Sequence, residues 1–232
     1  DHRDLHYPLR RQRQMCIRDR NVIITKSVCD YAKTNNCKHL VFASSATVYG
    51  SKNLGVLKED SLLSPINPYG YTKLAVEKIL LNLHESAENI WRISNLRYFN
   101  PIGAHYSGMI GENPKCQPTN LFPIILKVAN GERKEISIFG NDWPTKDGTC
   151  IRDYIHVMDL AEGHLSALNY LLESKPQILT LNLGTGKGTS VLELIRIFEK
   201  VNKVFIPVNF VERRSGDNAF VVADNNMAKQ IL

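Results

Sequence analysis

Residues 44–73 constrain the fold of this chain more than any other stretch. They read S-S-A-T-V-Y-G, a polar loop, then N-P-Y-G-Y-T-K. An apolar run, His39-Leu40-Val41-Phe42-Ala43, leads in and predicts a buried strand over residues 38–43, with Ser45 at its end. Asn67 suits a helix N-cap and Pro68 the first helical position. A helix over residues 68–85 then carries Tyr69 and Lys73, spaced i, i+4, on one face. An ammonium beside a phenol favours the phenolate, so Lys73 is expected to lower the Tyr69 pKa and make it an acid/base near neutral pH. The carboxyl end of a parallel strand is where α/β folds place chemistry, and a Ser45 hydroxyl there can relay a proton. A lone Y-x-x-x-K arises by chance on many surface helices, so the longer motifs around it carry the weight.

Residues 90–98 read as a second strand, and strand–helix–strand order implies a right-handed parallel crossover. Residues 21–36 read as an amphipathic helix with Val22, Ile24, Val28, Tyr31 and Ala32 towards one side. Residues 100–118 are dense in glycine and proline and predict a long ordered loop. Helices are expected over residues 120–130, 160–173 (opened by an Asp159/Glu162 capping box) and 190–200, with a last one beginning at 225. Short strands are expected over residues 136–139, 178–183 and 208–211.

With 232 residues, 43% of them hydrophobic, the chain can bury a substantial core. Cys16, Cys29, Cys37, Cys116 and Cys150 are scattered and form no C-x-x-C, which points to free thiols in a reducing cytoplasm and to no metal site. His105, His156 and His164 lack a ligand spacing and are expected to pack or cap. No apolar run approaches a membrane span or a signal-peptide core. Residues 1–20 hold six arginines against three aspartates, half of the net +6 charge. That segment is expected to be a disordered leader foreign to the rest rather than a nucleic-acid-binding arm.

From about residue 21 onward the chain resembles the UDP-glucose 4-epimerases of the extended short-chain dehydrogenase/reductase family. The resemblance rests on S-S-A-T-V-Y-G and N-P-Y-G-Y-T-K. It also rests on L-R-Y-F-N-P-I-G-A-H, F-G-N-D-W-P-T-K-D-G-T-C-I-R-D-Y-I-H-V, N-L-G-T-G and R-R-S-G-D, in the family's order. It implies an α/β fold: part of a Rossmann-type doubly wound parallel sheet over residues 21–100, then a smaller mixed α/β domain for the UDP-sugar over residues 101–232, with some elements returning to the first. It implies interconversion of UDP-galactose and UDP-glucose through a 4-keto sugar, with NAD as cofactor, and a homodimer at full length without nucleic acid or membrane partners.

Residue by residue, the resemblance makes Ser45, Tyr69 and Lys73 catalytic and puts Lys73 and Tyr98 at the nicotinamide end of NAD. It assigns Asn100, Asn120, Leu121, Ser137, Phe139, Arg152, Arg214 and Asp217 to the UDP-sugar. Val221 falls beside the sugar C2 substituent, where valine leaves room for an acetamido group. Guanidinium groups at 152 and 214 suit a diphosphate. The first glycine is Gly50, so no glycine-rich pyrophosphate turn precedes Ser44, and Gly184-Thr-Gly186-Lys-Gly188 has the wrong spacing. The chain is therefore expected to be truncated at both ends and, alone, to bind NAD poorly. Alternatives are a non-catalytic UDP-sugar-binding fragment and another nucleotide-sugar enzyme of the family; against a dehydratase, Ala46-Thr47 stands where acidic chemistry is usual.

Overall fold

Apolar runs ended by turn formers become parallel strands joined by helices. The computed structural model describes residues 19–53, 55–87, 89–114 and 117–232. Residues 1–18 of the expected leader lie outside the described residues; Asp19 and Arg20 belong to a π-helical turn, Asp19–Ile23. Then come α1 (Ile24–Thr34), β1 (His39–Ser45), α2 (Pro68–Glu85) and β2 (Arg92–Tyr98). Next are β3 (Asn100–Ile102), α3 (Leu121–Ala129), β4 (Ile136–Phe139), β5 (Ile151–His156) and α4 (Val157–Glu173). The chain continues through β6 (Gln177–Leu183), β7 (Gly188–Ser190), α5 (Val191–Asn202), β8 (Val208–Val211), β9 (Phe220–Val221) and α6 (Asn226–Ile231).

One sheet has the order β1-β2-β6, all parallel, in a register that aligns Ser45 with Tyr98 and Tyr98 with Leu183. Helices cover both faces, as a parallel sheet requires. Cys29 and Ala32 of α1 and Val76 and Leu80 of α2 pack with Ile93 on one side. Leu160 and Ala167 of α4 pack with Leu96 and Leu181 on the other. A second sheet is built on β5, which pairs parallel with β3 and β9 and antiparallel with β7. The parallel pair β4-β8 packs under α3 and α5 through Ile125, Ile136, Ile138 and Ile195.

Three expectations change. The expected apolar side of α1 is only partly its buried side: Val22, just before the helix, and Ala32 pack inward, joined by Cys29, whereas Ile24, Val28 and Tyr31 are exposed. Small side chains let the helix approach its neighbours closely, and the preceding turn is tied to α2 by Asn21 Nδ2 donating to Thr72 Oγ1 at 2.8 Å. Residues 39–43 of β1 are half-buried rather than buried, because among the described residues the strand pairs only with β2. The helix over residues 160–173 begins earlier, at Val157, and its cap is His156, whose Nδ1 accepts from the Met158 amide at 3.2 Å.

The loop between β1 and α2 folds back tightly. Gly50 has φ +64, and a Cβ there would lie 1.7 Å from the Ser64 carbonyl oxygen. At Gly70, beside Tyr69, a Cβ would lie 2.7 Å from the Thr47 carbonyl oxygen and 2.9 Å from Pro65 Cβ. This contact lets the first turn of α2 rest on the T-V-Y-G turn. Gly70→Ala is expected to cost about 1–3 kcal/mol through overpacking, although alanine favours helices. Urea unfolding measures it; an unchanged or raised midpoint would show that the helix is not seated there.

Candidate active site

Ser45 ends β1 in extended conformation, φ −155 and ψ 146, and caps the turn Ala46–Val48. Its Oγ accepts from the Thr47 amide at 3.3 Å and from Thr47 Oγ1 at 3.0 Å. Opposite, Asn67 Oδ1 accepts from the Gly70 amide at 2.8 Å, and Pro68 occupies the first turn of α2. Tyr69 is therefore presented at a helix start facing the carboxyl edge of the sheet, with the Ser45 hydroxyl acting on its phenol. Lys73, one turn on, is buried; its Nζ donates to the Ala43 carbonyl at 2.8 Å and lies 5.5 Å from the Tyr69 ring centroid.

The electrostatics differ from the sequence expectation. Burial raises the Tyr69 pKa above the ordinary tyrosine value, and the opposing pull comes from the Ser45 hydroxyl, not from Lys73. Burial also lowers the pKa of Lys73. The physical reason is that the ammonium sits over the ring with its proton directed to the Ala43 carbonyl, so it solvates the backbone rather than the phenol oxygen.

Tyr98 ends β2 beside Ser45, and its hydroxyl hydrogen-bonds with His164 Nε2. His164 Nδ1 lies 2.8 Å from the Leu160 carbonyl, which only accepts, so Nδ1 carries the proton and Tyr98 donates to Nε2. Burial, reinforced by Tyr69, pushes the Tyr98 phenol up to about 12.

Two residues beyond Tyr98, at Asn100, the chain reaches a cavity of about 220 Å³, which Ser45, Tyr69, Lys73 and Tyr98 do not line. Eight of the nine residues expected around a sugar nucleotide line it: Asn100, Asn120, Leu121, Ser137, Phe139, Arg152, Arg214 and Asp217. Asn120 precedes α3 without a side-chain cap; its Nδ2 donates instead to Glu112 Oε1 at 3.1 Å, so the leading amides of α3 stay uncapped beside the cavity. Arg152 Nη2 lies 3.8 Å from Asp217 Oδ1, and Arg214 Nε 3.2 Å from Asp217 Oδ2. The Arg214 guanidinium also stands 4.8 Å from the Phe139 ring centroid.

Val221 is the ninth, and it does not line this cavity. It pairs with Arg152 across β9 and β5 and packs against the cluster of Val48, Tyr49 and Phe99, beneath the Ser45 turn. Phe220 takes the other direction, its ring approaching Gly188.

Sequence reasoning missed Cys150 and Tyr154 as cavity walls. Their signal was available: residues 150, 152 and 154 alternate along one face of the strand that carries Arg152. Among the described residues no group of three or more His, Cys, Asp or Glu could hold a metal ion, and no helix is long and apolar enough to cross a membrane.

Residues 6–184 match the NAD dependent epimerase/dehydratase family. The chain belongs to that family. The match begins within the stretch expected to be foreign. The chain is 50% identical over 212 residues to a UDP-glucose 4-epimerase of Bacillus subtilis (strain 168), covering 91% of this chain and 62% of that protein. It is 49% identical over 215 residues to a bifunctional UDP-glucose 4-epimerase and UDP-xylose 4-epimerase of Arabidopsis thaliana, covering 92% of this chain and 61% of that one. A solved UDP-glucose 4-epimerase from Stenotrophomonas maltophila, with bound NAD and formylated UDP-arabinopyranose, superposes with a TM-score of 0.89 at 44% identity, over 92% of this chain and 63% of that one. One from Bifidobacterium longum, in complex with NAD+ and UDP, gives 0.86 at 45%, over 93% and 64%. The chain thus spans less than two thirds of the length of these relatives, and its α/β architecture is the Rossmann-type fold they share.

The raised phenols have a consequence for stability. Burial pushes Tyr49, Tyr98 and Tyr154 up to about 12 from an ordinary value of 10. A group whose pKa is raised by folding contributes stability that is fully present below the unfolded value and is lost as pH rises through the folded one. Stability is therefore expected to fall between pH 10 and about 12 as these phenols ionise, partly offset by Lys73, whose folded pKa is lowered. Denaturant titrations across that range measure the slope, and Tyr154→Phe should flatten it; a slope unchanged by that substitution would remove Tyr154 from the account.

Proposed function

We propose that the whole protein containing this chain is a UDP-glucose 4-epimerase that interconverts UDP-galactose and UDP-glucose. One observation carries the reading. Ser45, Tyr69 and Lys73 meet at the carboxyl edge of the parallel sheet, and two residues after Tyr98 the chain enters a cavity walled by Arg152 and Arg214. In this reading a proton-transfer group is linked, through the end of β2 and Asn100, to a site for a dianionic diphosphate. The relatives of like sequence named above support the same reading.

In this reading Tyr69 takes the proton of the sugar C4 hydroxyl and returns it to the keto oxygen after the sugar has turned. Ser45 bridges Tyr69 and that oxygen. Arg152 and Arg214 leave Asp217 for the diphosphate, holding the nucleotide end fixed while the sugar rotates. NAD, if bound there, would supply reversible hydride transfer at C4, which these residues would accompany with the proton. The nicotinamide end of NAD fits the residues present: Lys73 spends one of its three N–H donors on Ala43, which leaves donors for a ribose hydroxyl, and Tyr98 stands alongside. The resemblance assigns the pyrophosphate to a glycine-rich turn that this sequence does not contain.

We further propose a homodimer for the whole protein, supported by the exposed Ile24, Val28 and Tyr31 of α1, and a reducing, cytoplasmic setting, supported by the free thiols Cys29, Cys37 and Cys150. A protein of the relatives' full length, assayed with UDP-galactose and UDP-glucose, is expected to invert C4 of either. Tyr69→Phe should lower kcat by about 10²–10⁴, the range for a lost acid/base, with KM little changed. Binding of UDP-sugar without inversion would leave the non-catalytic alternative standing.

Substrate breadth follows from position 221. The resemblance puts position 221 beside the sugar C2 substituent, where valine is smaller than tyrosine, so the protein is expected to accept UDP-N-acetylgalactosamine as well as UDP-galactose. Val221→Tyr should abolish use of the acetamido sugar selectively. Activity on UDP-galactose alone would show that Val221 is not an open gate, consistent with its packing against Val48 and Phe99.

A further inference from the structure

Glu77 and Arg97 take no part in the chemistry above, yet both are buried, at 6% and 4% exposure, directly behind it. Glu77 is one turn beyond Lys73 on α2, and Arg97 immediately precedes Tyr98 on β2. Arg97 Nη2 donates to Glu77 Oε2 at 2.7 Å and Nε to Oε1 at 3.0 Å, a two-pronged ion pair. Ser44, the neighbour of Ser45 and the register partner of Arg97, donates its hydroxyl to the same Oε1. The remaining arm of Arg97, Nη1, donates to the Tyr49 hydroxyl at 2.9 Å and to the Glu59 carbonyl at 2.8 Å. Tyr49 in turn donates to Asn182 Oδ1 at 2.6 Å, and the Asn182 amide donates to Glu59 Oε1 at 2.9 Å.

We propose that Glu77, with Arg97 and Ser44, is a positioning device that sets the register of the catalytic helix against the tips of β1 and β2, and so the Ser45–Tyr69 contact. This rests on the epimerase reading of the site. Apolar side chains could pack this interface as stably, since desolvating an ion pair offsets much of its attraction. Apolar contacts, however, would let α2 slide or rotate. A carboxylate with three directional donors from two strands defines one position. Ser44 passes that position to Ser45, and Arg97 passes it to Tyr98. The network also gives a role to Tyr49 of T-V-Y-G and Asn182 of N-L-G-T-G, for which the chemistry has no use.

The decisive variants are Ser44→Ala, which removes one donor from Glu77 with little change of volume, and Glu77→Gln, which keeps the shape without the charge. Both belong in the full-length protein. Misplacement of about 1 Å can cost on the order of a hundredfold, so a tenfold or greater fall in kcat with unchanged KM is expected for Ser44→Ala. Because Ser45 is the group that draws the Tyr69 pKa down, a loosened contact should also move the acid limb of the kcat profile to higher pH. The other titratable groups at Tyr69 are Lys73 on its own helix and Tyr98 on β2, and neither is altered. A readout independent of turnover is the ultraviolet titration of the Tyr69 phenol, taken as the difference between Ser44→Ala with and without Tyr69→Phe. It should move to higher pH than the corresponding difference in the unsubstituted protein. A lowered unfolding midpoint with kcat per folded molecule, acid limb and phenol titration all unchanged would reduce the network to a structural role and overturn the proposal. If Glu77→Gln fails to fold, Ser44→Ala decides alone. If the unsubstituted protein inverts no sugar, the epimerase reading fails, and the phenol titration still tests the positioning.

Discussion

In-register parallel pairing of β2 with β1 on one side and β6 on the other is the constraint on which the rest of the molecule depends. Parallel strands joined by helices all end at the same edge, so the residues that follow them are brought together whatever their separation in sequence. Ser45, Tyr98 and Leu183 share one level of that edge although the chain between them is long. Reactive groups need only one further element, α2, to complete a cluster there. Gly70 lets α2 come close, and Asn67 fixes where it starts.

The second sheet solves a different problem, that of holding charge in a cavity wall. Asp153, fully buried on β5, accepts from the amides of Thr185, Gly186 and Ala223 and from Thr185 Oγ1, which joins β5 to the N-L-G-T-G turn and to the segment after β9. Its neighbours in sequence, Arg152 and Tyr154, point the other way and line the cavity. Strand alternation thus assigns a structural carboxylate to one face and a cavity-facing guanidinium to the other.

Much of this was legible in the sequence because local chemistry and tertiary need coincide there. The strand end at Ser45, the Asn67 cap, β4 and β8 agree with the structure, and eight residues chosen from motifs share one cavity. What escaped was decided by packing across the chain. The strand β5 reads I-R-D-Y-I-H, with charge at its centre, and only the Asp153 network and the cavity explain why a strand tolerates it. The buried side of α1 is chosen by small residues that permit close approach, which a count of apolar positions does not reveal. The sign of the Tyr69 shift depends on where the Lys73 proton points, and i, i+4 spacing is silent on that.

Asp217 brings these threads together. Its carboxylate accepts from Arg214 and lies near Arg152, so two cations are held facing the same cavity before any ligand arrives. Left unpaired, guanidinium groups that close would repel each other and swing towards water. The carboxylate cancels that repulsion and keeps both forks facing the cavity, which lowers the cost of ordering them around the anion proposed to bind there. The same carboxylate competes with the incoming anion. A singly charged group gains little over Asp217, whereas a dianion that engages both guanidinium groups at once can displace it. In the proposed reading, preference for a diphosphate over a simple carboxylate or monoanion follows from the pairing itself, with the exposed Arg214 free to move and the half-buried Arg152, anchored to the Asn218 carbonyl at 2.7 Å, fixing the direction of approach.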